Sequence, residues 1–263
     1  MELQARYGEF RKLGLGIAAL TYDPPAAIQK FAEERKIEFP ILSDGDHGIV
    51  LRYGILNRQF EPGHRNYGIP HPGTFILNRE GRVVARYFEE EFQYRNTSAS
   101  IALKIGQPIA GMGAPSRQST AHLDLTAFVS DQTVAPGHRF SIVLDIVPRS
   151  GMRIVAPGQH SYRVVGLTLD ASDNVRTYPV SYPRSTEVSV APRNERIGVY
   201  AQPFRLVQDV AIVVNDEMRK VSKQPGASVT LKGVLEYQAC TDKSCDPPQQ
   251  VPLSWMLALK PLG

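Results

Sequence analysis

Two hydrophobic periods run through this chain, and the change between them falls near residue 106. Before it, short apolar runs alternate with helical spacing. Residues 14–22 form one such run, the form a buried parallel strand takes. Asp23 followed by Pro24 and Pro25 predicts a helix start, with Asp23 as N-cap, and Ile28, Phe31 and Ala32 recur at helical spacing up to Lys36. Residues 39–42 predict a second strand. Ser43 and Asp44 then cap a helix carrying Ile49, Val50 and Tyr53 and ending near Gly54. Residues 74–77 and 83–87 predict two strands around the turn Asn78-Arg79-Glu80-Gly81. This order implies an α/β sheet with a mixed-direction edge.

Residues 106–119 hold glycines and prolines without a period and read as a flexible linker. Beyond them the period is two. Leu123, Leu125 and Ala127 alternate with polar neighbours. So do Phe140, Ile142, Leu144 and Ile146, and then Val165, Leu167 and Leu169. Residues 210–214 and 229–237 add strands, and together they predict an all-β sandwich. The expected organisation is an α/β domain over 1–105, a linker over 106–119 and a β-sandwich over 120–263.

Composition narrows the function classes. The 263 residues are 42% hydrophobic and 21% charged, which provides a core and argues against disorder. The net charge of +4 comes from scattered Lys and Arg, so nucleic acid is not an expected partner. No apolar run reaches the ~20 residues of a membrane helix. Met1 leads directly into a polar, helix-like stretch, so no signal peptide is expected at this start.

The sharpest chemical feature is Cys240 and Cys245, the only two cysteines, in Tyr237-Gln238-Ala239-Cys240-Thr241-Asp242-Lys243-Ser244-Cys245-Asp246-Pro247-Pro248. A turn-rich polar setting predicts that both are accessible, and exchange needs an accessible sulfur and an attacking thiolate. The alternative is a structural disulfide, although closing so small a loop stabilises by only roughly 2 kcal/mol. Zinc is disfavoured, because two cysteines without a nearby histidine leave a tetrahedral site half empty. Lys243 favours a thiolate while Asp242 and Asp246 oppose it. No cofactor or metal is expected.

The other polar residues read as structural. His47, His64, His71, His122, His138 and His160 show no ligand spacing and read as surface or loop histidines. Asp44 and Asp46 suit helix capping and a first turn. Gly14-x-Gly16 reads as strand, Ser98 and Ser100 lack a positioned base, and Tyr178, Tyr182 and Tyr200 read as sandwich packing.

Two resemblances sharpen these expectations. Leu3-Gln4, Tyr7, Phe10, residues 17–23, Phe39-Pro40-Ile41-Leu42-Ser43-Asp44, Tyr53-Gly54-Ile55 and Pro72-Gly73-Thr74-Phe75-Ile76-Leu77 resemble the redoxin group, thioredoxin-like proteins of the alkyl hydroperoxide reductase and thiol-specific antioxidant type. The resemblance makes Pro72 the counterpart of that group's cis-proline. It also implies that the first strands and the reactive cysteine are missing, as in a truncated chain, so the domain is expected to be inert toward peroxides. Tyr237-Gln238-Ala239-Cys240, Cys245, Pro247-Pro248 and Leu253, with Ala135-Pro136-Gly137, Tyr178-Pro179 and Tyr182-Pro183, resemble the amino-terminal periplasmic domain of the DsbD group of thiol:disulfide interchange proteins. That likeness implies an immunoglobulin-like sandwich in which Cys240 and Cys245 exchange with a partner protein through a mixed disulfide. It also implies an extracytoplasmic, periplasmic setting, with Tyr178 and Tyr182 as candidate shields. The expected function is thiol–disulfide exchange of antioxidant type. The alternatives are a non-catalytic binding module with a structural disulfide beside a degenerate redoxin domain, and a scaffold without a redox role.

Overall fold

In the computed structural model, residues 2–89, 91–107, 110–158, 161–190 and 195–262 are described. The chain separates into two compact units, Met1–Ile109 and Ala110–Leu262.

The first unit begins with α1 (Glu2–Ala5) and α2 (Tyr7–Lys12), followed by β1 (Ala19–Thr21), α3 (Pro25–Arg35), β2 (Ile41–Ser43) and α4 (Gly48–Arg52). The hairpin β3 (Gly73–Leu77) and β4 (Val83–Phe88), the short β5 (Arg95–Asn96) and α5 (Ser98–Lys104) complete it. β1 and β2 pair in parallel across α3, with Ala19 opposite Ile41 and Thr21 opposite Ser43. β3 and β4 pair antiparallel across the expected turn, where Gly81 takes φ +76° and Arg82 N–H donates to Asn78 Oδ1 at 2.9 Å.

Three local expectations change here. The predicted strand over 14–22 shrinks to Ala19–Thr21, because Gly14 at φ +73° belongs to the turn leaving α2. Asp23 does not cap α3. Its carboxylate accepts from Thr21 Oγ1, Pro24 occupies the cap position, and Pro25 needs no N–H in the first turn. The expected apolar face of α3 is also not buried: Phe31 is 46% exposed, since the sheet beneath the helix is only two strands wide.

Asp44 caps α4 from a distance. Its Oδ1 accepts from Ile49 N–H at 2.9 Å and its Oδ2 from Val50 N–H at 2.8 Å, meeting two of the orphan donors of a helix start. Burial works to raise its pKa, but these two hydrogen bonds, the nearby His47 and a hydrogen bond with Asp46 outweigh it, so the carboxyl lies below the ordinary Asp value. A depressed folded pKa contributes stability that is present above the unfolded Asp pKa and lost as pH falls through the folded one. Asp44→Ala is therefore expected to lower amide protection at Ile49 and Val50 at neutral pH, with the gap to wild type closing in acid. Hydrogen exchange by NMR checks this, and a gap that persists below the folded pKa would refute it.

The second unit is β-rich. Its strands are β6 (Ser116–Ser119), β7 (Leu123–Val129), β8 (Thr133–Val134), β9 (His138–Pro148), β10 (Arg153–Val155), β11 (Gly166–Leu169), β12 (Val175–Ser181), β13 (Thr186–Val190), β14 (Glu195–Tyr200) and β15 (Phe204–Ile212). After α6 (Asp216–Val221) come β16 (Ser228–Tyr237), β17 (Ala239–Cys240) and β18 (Gln249–Leu259). One sheet runs β12-β15-β9-β7-β6, a second β11-β16-β18-β8, and a third, smaller one β13-β14-β10-β17. The first two share one core: Leu125, Phe140, Leu144 and Leu206 from one sheet meet Leu231, Leu235, Trp255 and Leu257 from the other.

The expected alternation appears in β7 and β9, with one difference. In β9 the off-register positions Ser141 and Val143 are buried as well. Ser141 donates to Asp209 Oδ1 at 2.8 Å, and Arg139 pairs with the other oxygen of that carboxylate at 2.9 Å, so the polar positions of this central strand are covered but satisfied. Part of the expected linker is strand. β6 pairs with β7, Ser116 opposite Ala127, and its polar sequence suits an edge strand. Pro108 and Ile109 lie outside the described residues. α6 was not expected; Asn215 caps it through Met218 N–H at 2.8 Å, with Asp216 and Glu217 in the first turn and Arg219 and Lys220 in the last.

Candidate functional site

The motif Tyr237-Gln238-Ala239-Cys240 lies where the chain leaves β16 and enters β17, passing from the second sheet to the third. Each of its residues has a distinct physical role. Tyr237 is fully buried, and its hydroxyl lies 2.9 Å from Thr120 Oγ1 and 3.3 Å from His122 Nδ1. Gln238 bridges two segments: its Oε1 accepts from Arg163 N–H at 2.9 Å, and its Nε2 donates to Asp246 O at 2.9 Å. Ala239 and Cys240 pair with Ile154 and Arg153 of β10.

Residues 241–244 close a tight turn. Thr241 N–H donates to Ser244 O at 2.8 Å, and Thr241 Oγ1 accepts from the N–H groups of Lys243 and Ser244 at 3.1 Å. Beyond the turn Cys245 stands opposite Cys240 as an antiparallel bridge, and Asp246 N–H donates to Ala239 O at 2.8 Å. Cys240 and Cys245 are joined in a disulfide, with Sγ–Sγ 2.00 Å.

The two sulfurs differ in surroundings, which corrects the expectation that both are accessible. Cys240 is 1% exposed, in a cluster with Val155, Ile197 and Val199, because β17 is the edge strand of the third sheet, paired with β10, and not part of the loop. Cys245 is half-buried at the edge of that cluster, after the turn. Tyr162 and Val164 pack against the same cluster. Among the described residues, the tyrosine packed against the cluster that holds Cys240 is Tyr162. Tyr178 sits on β12 with the Arg139 guanidinium 3.7 Å from its ring, and Tyr200 donates to Pro183 O at 2.9 Å.

One residue missed by sequence reasoning is His122. It is buried, not a surface histidine: its Nε2 lies 2.9 Å from Asp246 Oδ2 and its Nδ1 faces Tyr237. Asp246, read as a charge opposing a thiolate, is thus engaged by an imidazole. Asp242 and Lys243 are exposed. Ser98, read as lacking a positioned base, donates its N–H at 2.8 Å and its hydroxyl to the Glu2 carboxylate at the start of α5, a helix-end contact. His64 Nδ1 accepts from Asn66 N–H and its ring stacks on Phe60. His160 lies outside the described residues. Among the described residues no three His, Cys, Asp or Glu side chains converge as metal ligands, and no helix is long and apolar enough to cross a membrane.

Residues 1–86 match the AhpC/TSA family. Over 81 residues the chain is 27% identical to peroxiredoxin Bcp of Escherichia coli strain K12, covering 31% of this chain and 51% of that protein. It is 29% identical over 84 residues to peroxiredoxin Bcp of Xanthomonas campestris pv. campestris, covering 32% and 52%. The chain thus spans about half the length of the curated relatives it matches. Both cysteines lie outside the matched stretch, at 240 and 245. Among solved structures, the N-terminal domain of Neisseria meningitidis DsbD in its reduced form aligns at 15% identity and TM-score 0.30, over 44% of this chain and 82% of that one. The N-terminal periplasmic domain of ScsB from Proteus mirabilis aligns at 15% identity and TM-score 0.36, over 57% and 53%.

Proposed function

We propose that the second unit is a thiol–disulfide exchange module, that Cys240 and Cys245 carry its chemistry, and that it works in an oxidising, extracytoplasmic compartment such as the periplasm. The observation that carries this reading is the asymmetric disulfide: one sulfur sunk in an apolar cluster, the other half-exposed after a polar turn. That asymmetry supports a division of roles. A thiolate of a partner protein dithiol attacks Cys245 Sγ, the Cys240–Cys245 bond breaks, and the electron pair leaves on Cys240 Sγ. The partner's second thiolate then attacks its own sulfur in the mixed disulfide and releases Cys245. The partner is oxidised to a disulfide, this chain is reduced to a dithiol, and two protons pass from one to the other. Run backwards, the same steps oxidise this chain.

The disulfide supports an oxidising compartment, since persistent disulfides are rare where thiols are kept reduced. The paired sheets around one core suit an immunoglobulin-like sandwich, and Pro247 and Pro248 lie exposed beside Asp246 as part of a protein-docking edge. The unit matched to the AhpC/TSA family contains no cysteine and supplies no thiolate, so antioxidant chemistry in this chain would run through the second unit.

The test is the reduction potential of the pair in glutathione buffers, read by alkylation and intact mass. Structural disulfides lie below about −300 mV and labile ones above it. A value above that limit is expected. A value below it would make the pair a staple and the unit a binding module, the reading favoured by the burial of Cys240.

A further inference from the structure

Outside the cysteines themselves, the polar group tied most directly to the hairpin is His122, and it is held from every side. Its N–H donates to Thr120 Oγ1 at 3.1 Å, its carbonyl accepts from Arg149 N–H at 2.8 Å, and its ring meets Tyr237 edge-on at 5.9 Å. Arg149 is in turn fixed, with Nε donating to Thr120 O at 2.7 Å and its guanidinium on Asp124 at 3.0 Å. The tautomer with the proton on Nε2 fits both ring contacts: Nε2–H donates to the Asp246 carboxylate, and Nδ1 accepts from the Tyr237 hydroxyl, which also lies 2.9 Å from Thr120 Oγ1. His122 is thus a fixed post before β7. Asp246, the residue next to Cys245, is the one group of the hairpin's second arm whose side chain grips it.

We propose that His122 is a positioning residue for the redox pair: through Asp246 it clamps the arm carrying Cys245 against the sandwich, and so keeps the two thiols together when the disulfide is open. The inference rests on the exchange reading above for its biological meaning. In the disulfide form the S–S bond itself closes the hairpin. In the dithiol form the β16–β18 pairing, which ends at Tyr237 opposite Gln249, still brackets the hairpin, and within it the turn, the Asp246 N–H to Ala239 O bond, the Gln238 bridge and the His122–Asp246 contact hold the two arms together. Each contact that survives reduction raises the effective concentration of one thiol at the other, as any restraint on a closing loop does, and favours the disulfide. A hydrogen bond to a charged group is among the stronger ones, so its loss is large enough to read.

The experiment is equilibration of the full chain with glutathione, in which the disulfide plus two glutathione thiols gives the dithiol plus glutathione disulfide. His122→Leu is expected to reduce the equilibrium constant for ring closure about tenfold, a rise of about 30 mV in potential. Asp246→Ala removes the same contact from its more exposed side and is expected to give the same shift, with the double variant no further displaced. His122→Gln keeps a donor near the position of Nε2 and should restore the wild-type potential. Ser244→Ala, an exposed and uncharged position of the same hairpin whose hydrogen bonds run through its backbone, should leave it unchanged. A folded Asp246→Ala variant with an unshifted potential overturns the clamp. So does failure of His122→Gln to restore the potential, because a merely structural histidine would not distinguish Gln from Leu in the redox equilibrium. The two readings fail separately. A wild-type potential below about −300 mV with the shifts present ends the exchange reading and leaves the clamp, while a higher potential without shifts does the reverse.

Discussion

When the reduced chain meets a limiting amount of alkylating reagent, Cys245 is expected to react about a hundredfold faster than Cys240. Cys240 is 1% exposed among Val155, Ile197 and Val199, so its sulfur reacts only after β17 detaches locally from β10. An opening free energy of about 3 kcal/mol gives two decades of suppression, the size expected for lifting a buried sulfur and the edge strand that carries it out of its apolar cluster. Cys245 follows the turn and needs no such opening. The single-cysteine variants extend the result. Cys240→Ser should keep a thiol that labels at the fast rate and captures glutathione from glutathione disulfide. Cys245→Ser should label slowly and capture little. Peptide mapping after a short pulse gives both rates. Equal rates at the two positions would remove the assignment of Cys245 as the attacked sulfur, whatever the potential of the pair.

This asymmetry also marks the limit of what the chain revealed before folding. The pair itself was legible, since two cysteines five residues apart around a turn-forming segment can close on each other with little help. So was Tyr237-Gln238-Ala239-Cys240 as a unit, though not its logic. Its four side chains face a buried hydroxyl network, a backbone bridge, a strand pair and a sulfur pocket, and those surroundings come from β10, the segment before β7 and the loop holding Arg163. His122 was illegible because its partner Asp246 lies 124 residues away, and a histidine's burial depends on what folds over it. In β18 the signal was present and unused: Val251, Leu253, Trp255, Leu257 and Leu259 alternate inward along its length. β6 carried no signal, because Ser116-Arg117-Gln118-Ser119 has no apolar period and its pairing comes entirely from the neighbouring β7. In the first unit, element types read correctly along the hairpin and around α3 and α4. Burial did not, because a two-stranded parallel sheet covers too little of the helix beside it.

Tyr237 joins the core to the site, and its replacement is expected to have the largest effect on stability. The ring is fully buried in the core shared by the two large sheets, so Tyr237→Ala combines lost apolar contact with a cavity, together about 3–5 kcal/mol. It also takes the hydroxyl partner away from His122 Nδ1. Tyr237→Phe keeps the ring and removes only the hydroxyl, for about 1–2 kcal/mol. The chain's single tryptophan, Trp255, is buried in the same core, so its fluorescence follows the second unit alone. Roughly 2–4 °C of midpoint per kcal/mol is expected for a unit of this size, which separates the two variants clearly. Alkaline pH adds a second reading. Burial raises the Tyr237 pKa, only partly offset by the hydrogen bond with Thr120, and burial likewise raises Tyr182 and Tyr200. A raised folded pKa contributes stability that is fully present below the unfolded tyrosine pKa of about 10 and lost as pH rises through the folded value. Tyr237→Phe has no such group at this position, so its deficit relative to wild type should narrow above pH ~10. A deficit that stays constant into that range would show that the hydroxyl is not held protonated by the fold. Equal losses for Phe and Ala would move the weight of the residue from its ring to the Thr120–His122 network.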